Sequence, residues 1–145
     1  MRYIILGSMT ILLLGLTVTQ AAEDERQLVK LPDPMRDHML GSMRDHLATI
    51  NEIQAELAKG EYDKAADTAE QRLGMSSLTA HNASHMAPFM PKAMQEIGTE
   101  MHHAASRFSR TAQEVAVDGN LAKALESLSQ VTQQCVACHA AYRVH

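Results

Sequence analysis

The chain has 145 residues, with 13 Lys and Arg against 17 Asp and Glu for a net charge of −4. That length suits one domain behind a short leader, and the acidic balance excludes a nucleic-acid binder, which needs a basic stripe. Only 3% of residues are aromatic and none is Trp, so the core lacks its usual bulky filling.

At the N-terminus Arg2 precedes an apolar run from Ile4 to Val18 and then Thr19-Gln20-Ala21-Ala22. A charged start, an apolar middle and a small-residue end make a secretory signal peptide, residues 1–21. The alternative, a membrane anchor, is short for a bilayer span and is broken by Gly7, Ser8, Thr10 and Gly15. Cleavage removes one basic residue, Arg2, and no acidic one, leaving 12 Lys and Arg against 17 Asp and Glu. Residues 22–33 are charged and then punctuated by Pro32 and Pro34, an extended lead-in. Residues 34–145 form the domain.

The first helix is expected with Asp33 as N-cap and Pro34 at its first position, running to about Ala58. Met39, Met43, His46, Ile50, Ile53 and Leu57 fall at steps of three and four, an inward stripe, and Lys59-Gly60-Glu61 ends it. A second helix spans Asp63 to about Leu73 with Ala66, Ala69 and Leu73 inward. Residues 74–91 are irregular, with Pro88, Pro91 and a cluster of Ser, Thr, Asn and His; a helical piece is expected near Ser76 to Ser84. The third long helix runs from Pro91 or Lys92 to about Val117, with Ile97, Met101, Ala104, Phe108 and Val115 on one face. Asp118-Gly119-Asn120 is a stop and turn. The last helix runs from Asn120 to about Arg143, with Leu121, Leu125, Leu128, Thr132, Cys135, His139 and Tyr142 inward. No strand pattern of useful length is visible. The repeat of Met35-Arg36-Asp37-His38 as Met43-Arg44-Asp45-His46 is a single echo within one helix, not a solenoid. Four amphipathic helices with mostly short connections predict an all-α, antiparallel four-helix bundle.

The last helix carries Cys135-Val136-Ala137-Cys138-His139, whose two cysteines are the only ones in the chain. Two cysteines separated by two residues and followed by histidine form the c-type haem attachment pattern. On a helix Cys135 and Cys138 lie one turn apart on one face, so both thiols reach the vinyl groups along one side of a porphyrin. His139, at i+4 from Cys135, points the same way and offers the iron a nitrogen. A thioredoxin-like pair would sit near a βαβ pattern. A structural zinc site wants four ligands at finger-like spacing, and a disulfide here would close a very small loop for little gain. One covalent haem c is therefore expected, and its planar bulk among Met, Leu, Ile and Ala supplies the filling that the aromatic-poor core lacks. Haem attachment takes place outside the cytoplasm, in agreement with the signal peptide and a periplasmic location.

The mature length, the four helices and the C-terminal Cys-x-x-Cys-His followed by Tyr142-Arg143 resemble cytochrome c′ and its low-spin relatives, the cytochromes c556. Gly119, Leu121, Lys123 and Cys135 to Arg143 match the family's last helix. Lys59-Gly60 and Tyr62-Asp63-Lys64-Ala65-Ala66 are similar to its first turn, whereas the stretch from His81 to His103 departs from it. The resemblance implies thioethers at Cys135 and Cys138, a proximal ligand at His139, and Arg143, at i+4 from His139, beside the proximal face. Tyr142 then packs near the haem edge or serves as ordinary core. It also implies a homodimer through the first two helices.

In this family the sixth iron position faces the first helix: an apolar residue in five-coordinate members, methionine in the c556 group. Counting back from Lys59-Gly60 reaches Met43 within one residue, and the helix phase selects it over Arg44; Met39, one turn earlier, is the fallback. His46 shares the stripe as a core or rim histidine. A methionine opposite His139 makes an electron carrier that serves periplasmic redox partner proteins. A vacant apolar site makes a binder of nitric oxide or carbon monoxide. A third reading is copper binding by His81, His85 and Met86, with Met90, Met94, Met101, His102 and His103 nearby; His81 and His85 are at i, i+4 if that segment is helical. No nucleophile elbow, phosphate loop or zinc-protease motif is present, so an enzyme is not expected.

Overall fold

The structure is a computed structural model and describes residues 23–145; the expected signal peptide lies outside the described residues. The all-α class is found. Among the described residues the helices are α1 (Asp33–Lys59), α2 (Tyr62–Arg72), α3 (Ala83–Met86), α4 (Lys92–Asp118) and α5 (Leu121–Ala141). Single turns of 3-10 helix, Met75–Ser77 and Ala87–Phe89, precede and follow α3. No helix among the described residues is long and apolar enough to cross a membrane.

α1 starts one residue earlier than expected. The carbonyl of Pro32 accepts from the N–H groups of Met35 and Arg36, both at 2.9 Å, so Pro32 is the cap and Asp33 lies in the first turn. Its carboxylate there complements the helix dipole and meets Arg36 at 3.0 Å. α1 ends at Gly60, whose φ of 75° is left-handed and costs glycine nothing. Its N–H donates to Leu57 O and that of Glu61 to Glu56 O, closing the turn into α2. Gly119, at φ 73°, ends α4 in the same way, with its N–H donating to Val115 O at 2.8 Å.

α1 packs on α2, α2 on α4, and α4 on α5. The core is alanine-rich: Ala65, Ala66, Ala69, Ala104, Ala105, Ala112 and Ala124 surround Ile53, Leu57, Leu73, Phe108 and Val115. Small side chains let the helix axes approach, and each buried methylene removes apolar surface from water. Arg72 fastens α2 to α1 through Asp45 and Glu52.

Two sequence expectations for α5 change. Its buried residues are Ala124, Leu128 and Val131, whereas Leu121 and Leu125 are 37% and 49% exposed. The close α4–α5 contact selects alanine for the seam and sets the leucines beside it. Moreover, α5 stops at Ala141. Tyr142 is extended, at φ −130° and ψ 151°, and Tyr142–Arg143 forms β2, paired in parallel with β1 (Gln27–Leu28) from the lead-in. Val29 continues the pairing, donating from its N–H to Arg143 O at 2.8 Å, and is buried. The lead-in is therefore a strap across the end of α5.

Candidate functional site

The chain folds around a mostly apolar cleft of about 660 Å³ at one end of the long helices. α1 contributes Met39, Met43 and His46; α4 contributes Ile97, Met101 and His102; α5 contributes Val131, Cys135, Cys138 and His139. The irregular connection between α2 and α4 closes one wall with Leu78, His81, Met86 and Met90. Cys135, Val136, Cys138 and His139 thus share one cavity with Met43, the expected sixth ligand, and its fallback Met39. The helical phase of α1 accounts for the methionines: Met39 and Met43 continue the stripe of Ile50, Ile53 and Leu57 beyond the alanine-packed region.

Cys135 and Cys138 are free thiols on the helix, both partly buried. Burial pushes both above the usual thiol range, and Cys135 adds to the rise at Cys138, so both are protonated at neutral pH. Cys135 Sγ lies 3.8 Å from Val131 O. His139 is exposed at the edge of the cleft, where Arg26 of the lead-in donates to its backbone carbonyl at 3.3 Å.

Tyr142 and Arg143 do not line the cleft. The i+4 relation expected between His139 and Arg143 fails because α5 has ended. Arg143 instead has its Nε 3.6 Å from Asp24, too long for a hydrogen bond, and donates from Nη1 to His145 O at 3.1 Å.

The expected copper set is also divided. Asn82 takes the left-handed conformation, at φ 54°, and interrupts the helix between His81 and His85. His81 and Met86 line the cleft, while His85 is exposed on α3. His103 lies outside it as well, in a polar depression of about 500 Å³ beside Glu70 and Arg110.

One group was missed as a unit. His46 from α1, His81 from the connection and His102 from α4 bring their rings together, with centroids 4.6, 5.3 and 6.2 Å apart. His46 Nε2 is 3.3 Å from His81 Nε2, and His102 Nδ1 donates to Leu73 O at 2.7 Å. Burial pushes His46 down to about 4, with His81 and His102 adding to the drop. Burial also lowers His81 and His102. All three are neutral at pH 7. The phase of α1 signalled His46, and His102 follows Met101 on the buried face of α4; nothing local signalled that His81 would fold back to meet them. Among the described residues no three His, Cys, Asp or Glu side chains stand as a ready-made metal site.

Comparison of the chain with protein-family models, with curated proteins and with solved structures gives no match.

Proposed function

We propose that this chain is a periplasmic monohaem c-type cytochrome, similar to the cytochrome c′ and c556 group, that passes single electrons between partner proteins. In this reading α1, α2, α4 and α5 form an antiparallel four-helix bundle, and one haem c occupies the cleft. One observation carries it: a mostly apolar cavity of about 660 Å³ has Cys135, Cys138 and His139 on its α5 side and Met39 and Met43 on its α1 side. That volume lies within the roughly 300–1,000 Å³ of small-molecule sites.

Bound haem supplies a one-electron iron centre. Cys135 and Cys138 would hold it through thioether bonds to its two vinyl groups. His139 would offer the iron an imidazole nitrogen and Met43 a thioether sulfur, a pair that would favour the reduced form and raise the potential. The mostly apolar lining suits the flat, apolar faces of a porphyrin. The acidic mature chain suits redox partners with basic faces.

The test has two stages. Haem should stay with the denatured protein through acid–organic extraction and give a c-type pyridine haemochrome; haem that washes out refutes the reading. The unmodified protein should then be low-spin in both oxidation states, with the weak near-infrared band of a methionine–iron bond when ferric. Met43→Leu should leave the fold within about 1.5 kcal/mol, turn the iron high-spin and admit carbon monoxide to the ferrous form. If only Met39→Leu does this, the ligand lies one turn earlier. A wild-type protein already high-spin and open to carbon monoxide makes the chain a gas binder instead of an electron carrier.

A further inference from the structure

We propose that His46, His81 and His102 form a second metal site in the wall of the cleft, one that takes a single copper ion as Cu(I). It uses none of Cys135, Cys138, His139 or Met43, so it stands or falls separately from haem binding.

The hydrogen bonds set the tautomers. Leu73 O can only accept, so His102 carries its proton on Nδ1 and presents a lone pair at Nε2. Ser77 Oγ donates to Gly74 O at 2.7 Å and so accepts from His81 Nδ1 at 3.3 Å, which leaves a lone pair at His81 Nε2 too. His46 Nε2 then donates to His81 Nε2 across 3.3 Å. Metal-binding histidines are usually held in this manner, with the outer ring nitrogen donating to a carbonyl or hydroxyl. His38 adds a further strut, its Nε2 donating to the backbone carbonyl of His81 at 3.0 Å.

The spacing matches as well. Two nitrogens each about 2.0 Å from a three-coordinate ion are about 3.5 Å apart, and the ring centroids behind them roughly 5.5 Å apart. The His46–His81 nitrogens already stand at 3.3 Å, and the three centroid distances bracket the second value. An ion replaces the shared hydrogen, and the His46 proton moves to Nδ1. The His102 centroid lies 6.2 Å from that of His46, so the proposed site requires the His102 ring to tilt toward the pair.

Burial and charge choose the ion. Three neutral imidazoles bring no compensating charge into a mostly apolar wall. A divalent cation would cost far more desolvation there than a monovalent one. Imidazole suits copper, and the Met86 and Met101 thioethers lining the same cleft are soft neighbours that favour Cu(I).

The test uses haem-loaded protein under reducing conditions, titrated with Cu(I) against a competing chelator. Copper and haem contents are measured on the same sample. One Cu(I) per chain is expected. His81→Gln and His102→Gln should each weaken binding by about 100-fold, and Ser77→Ala by about 10-fold. His85→Gln should change nothing. Full-strength binding in both His81→Gln and His102→Gln, or loss only in His85→Gln, overturns the site. Circular dichroism checks that each variant is folded. Should one be unfolded, X-ray absorption of the copper-loaded wild type decides: imidazole scattering supports the site, and a sulfur-only shell overturns it. Failure to bind Cu(I), or tighter binding of Zn²⁺ than of Cu(I), also overturns it.

Discussion

The two ends of the long helices are built from different side chains. At one end α2, α4 and α5 meet through Ala65, Ala69, Ala112 and Ala124, with Phe108 and Val115 filling the space between. At the other, Met39, Met43, Met90 and five histidines line an open cleft. Small rigid residues bring helices together with little entropy to lose, while long flexible thioethers and polar rings hold a space whose shape a ligand can finish. The first end is frame and the second is site, and the two should respond differently to change.

The largest contrast is in stability. Phe108 is 0% exposed, so Phe108→Ala should cost about 3–5 kcal/mol. That is a large share of the roughly 5–15 kcal/mol of a typical domain. Urea unfolding would measure it; a loss no greater than that of Met43→Leu would erase the distinction between frame and site.

Acid should weaken the site end through its histidines. His46 is 9% exposed and held at about 4 from an ordinary 6.5. Above pH 6.5 it is neutral whether folded or unfolded, and contributes no slope. Between pH 6.5 and 4 the unfolded chain takes a proton that the folded one refuses, so stability falls as pH falls, by about 3 kcal/mol in all. Below about pH 4 this contribution levels off. Unfolding of copper-free protein across that range should show the slope, and His46→Gln should reduce it, leaving the share of His81 and His102. An unchanged slope would mean that His46 is not held neutral by the fold.

The smallest effect is expected where α5 departs from its expected face. Leu125 is exposed, so Leu125→Lys should shift stability by no more than about 0.5 kcal/mol. A loss of several kcal/mol would restore the leucine stripe read from the sequence.

That last case marks how far the sequence could be read. The turns were legible because Gly60 and Gly119 supply left-handed conformations that other residues resist. The α1 stripe was legible because Ile50, Ile53 and Leu57 keep helical spacing. The stripe also carried Met39 and Met43 to the cleft wall that faces residues of α5. The inward face of α5 was misread because leucine is a stronger burial signal than alanine, although close helix contacts prefer the smaller residue. The end of α5 was misread because β2 depends on a strand more than a hundred residues away, and the histidine group depends on three elements meeting. Local periodicity carries no information about either.

The strap has a consequence for the order of events as the chain is made. Gln27 and Leu28 leave the ribosome early, but their partners Tyr142 and Arg143 follow nearly the whole domain. Closing so long a loop gains its reward only when both ends are present. The clasp therefore cannot form before the chain is nearly complete, and its pairing spans only two residues of each strand. Until it closes, nothing from the lead-in covers the end of α5 beyond Cys135 and Cys138. Once it closes, Arg26 covers the carbonyl of His139.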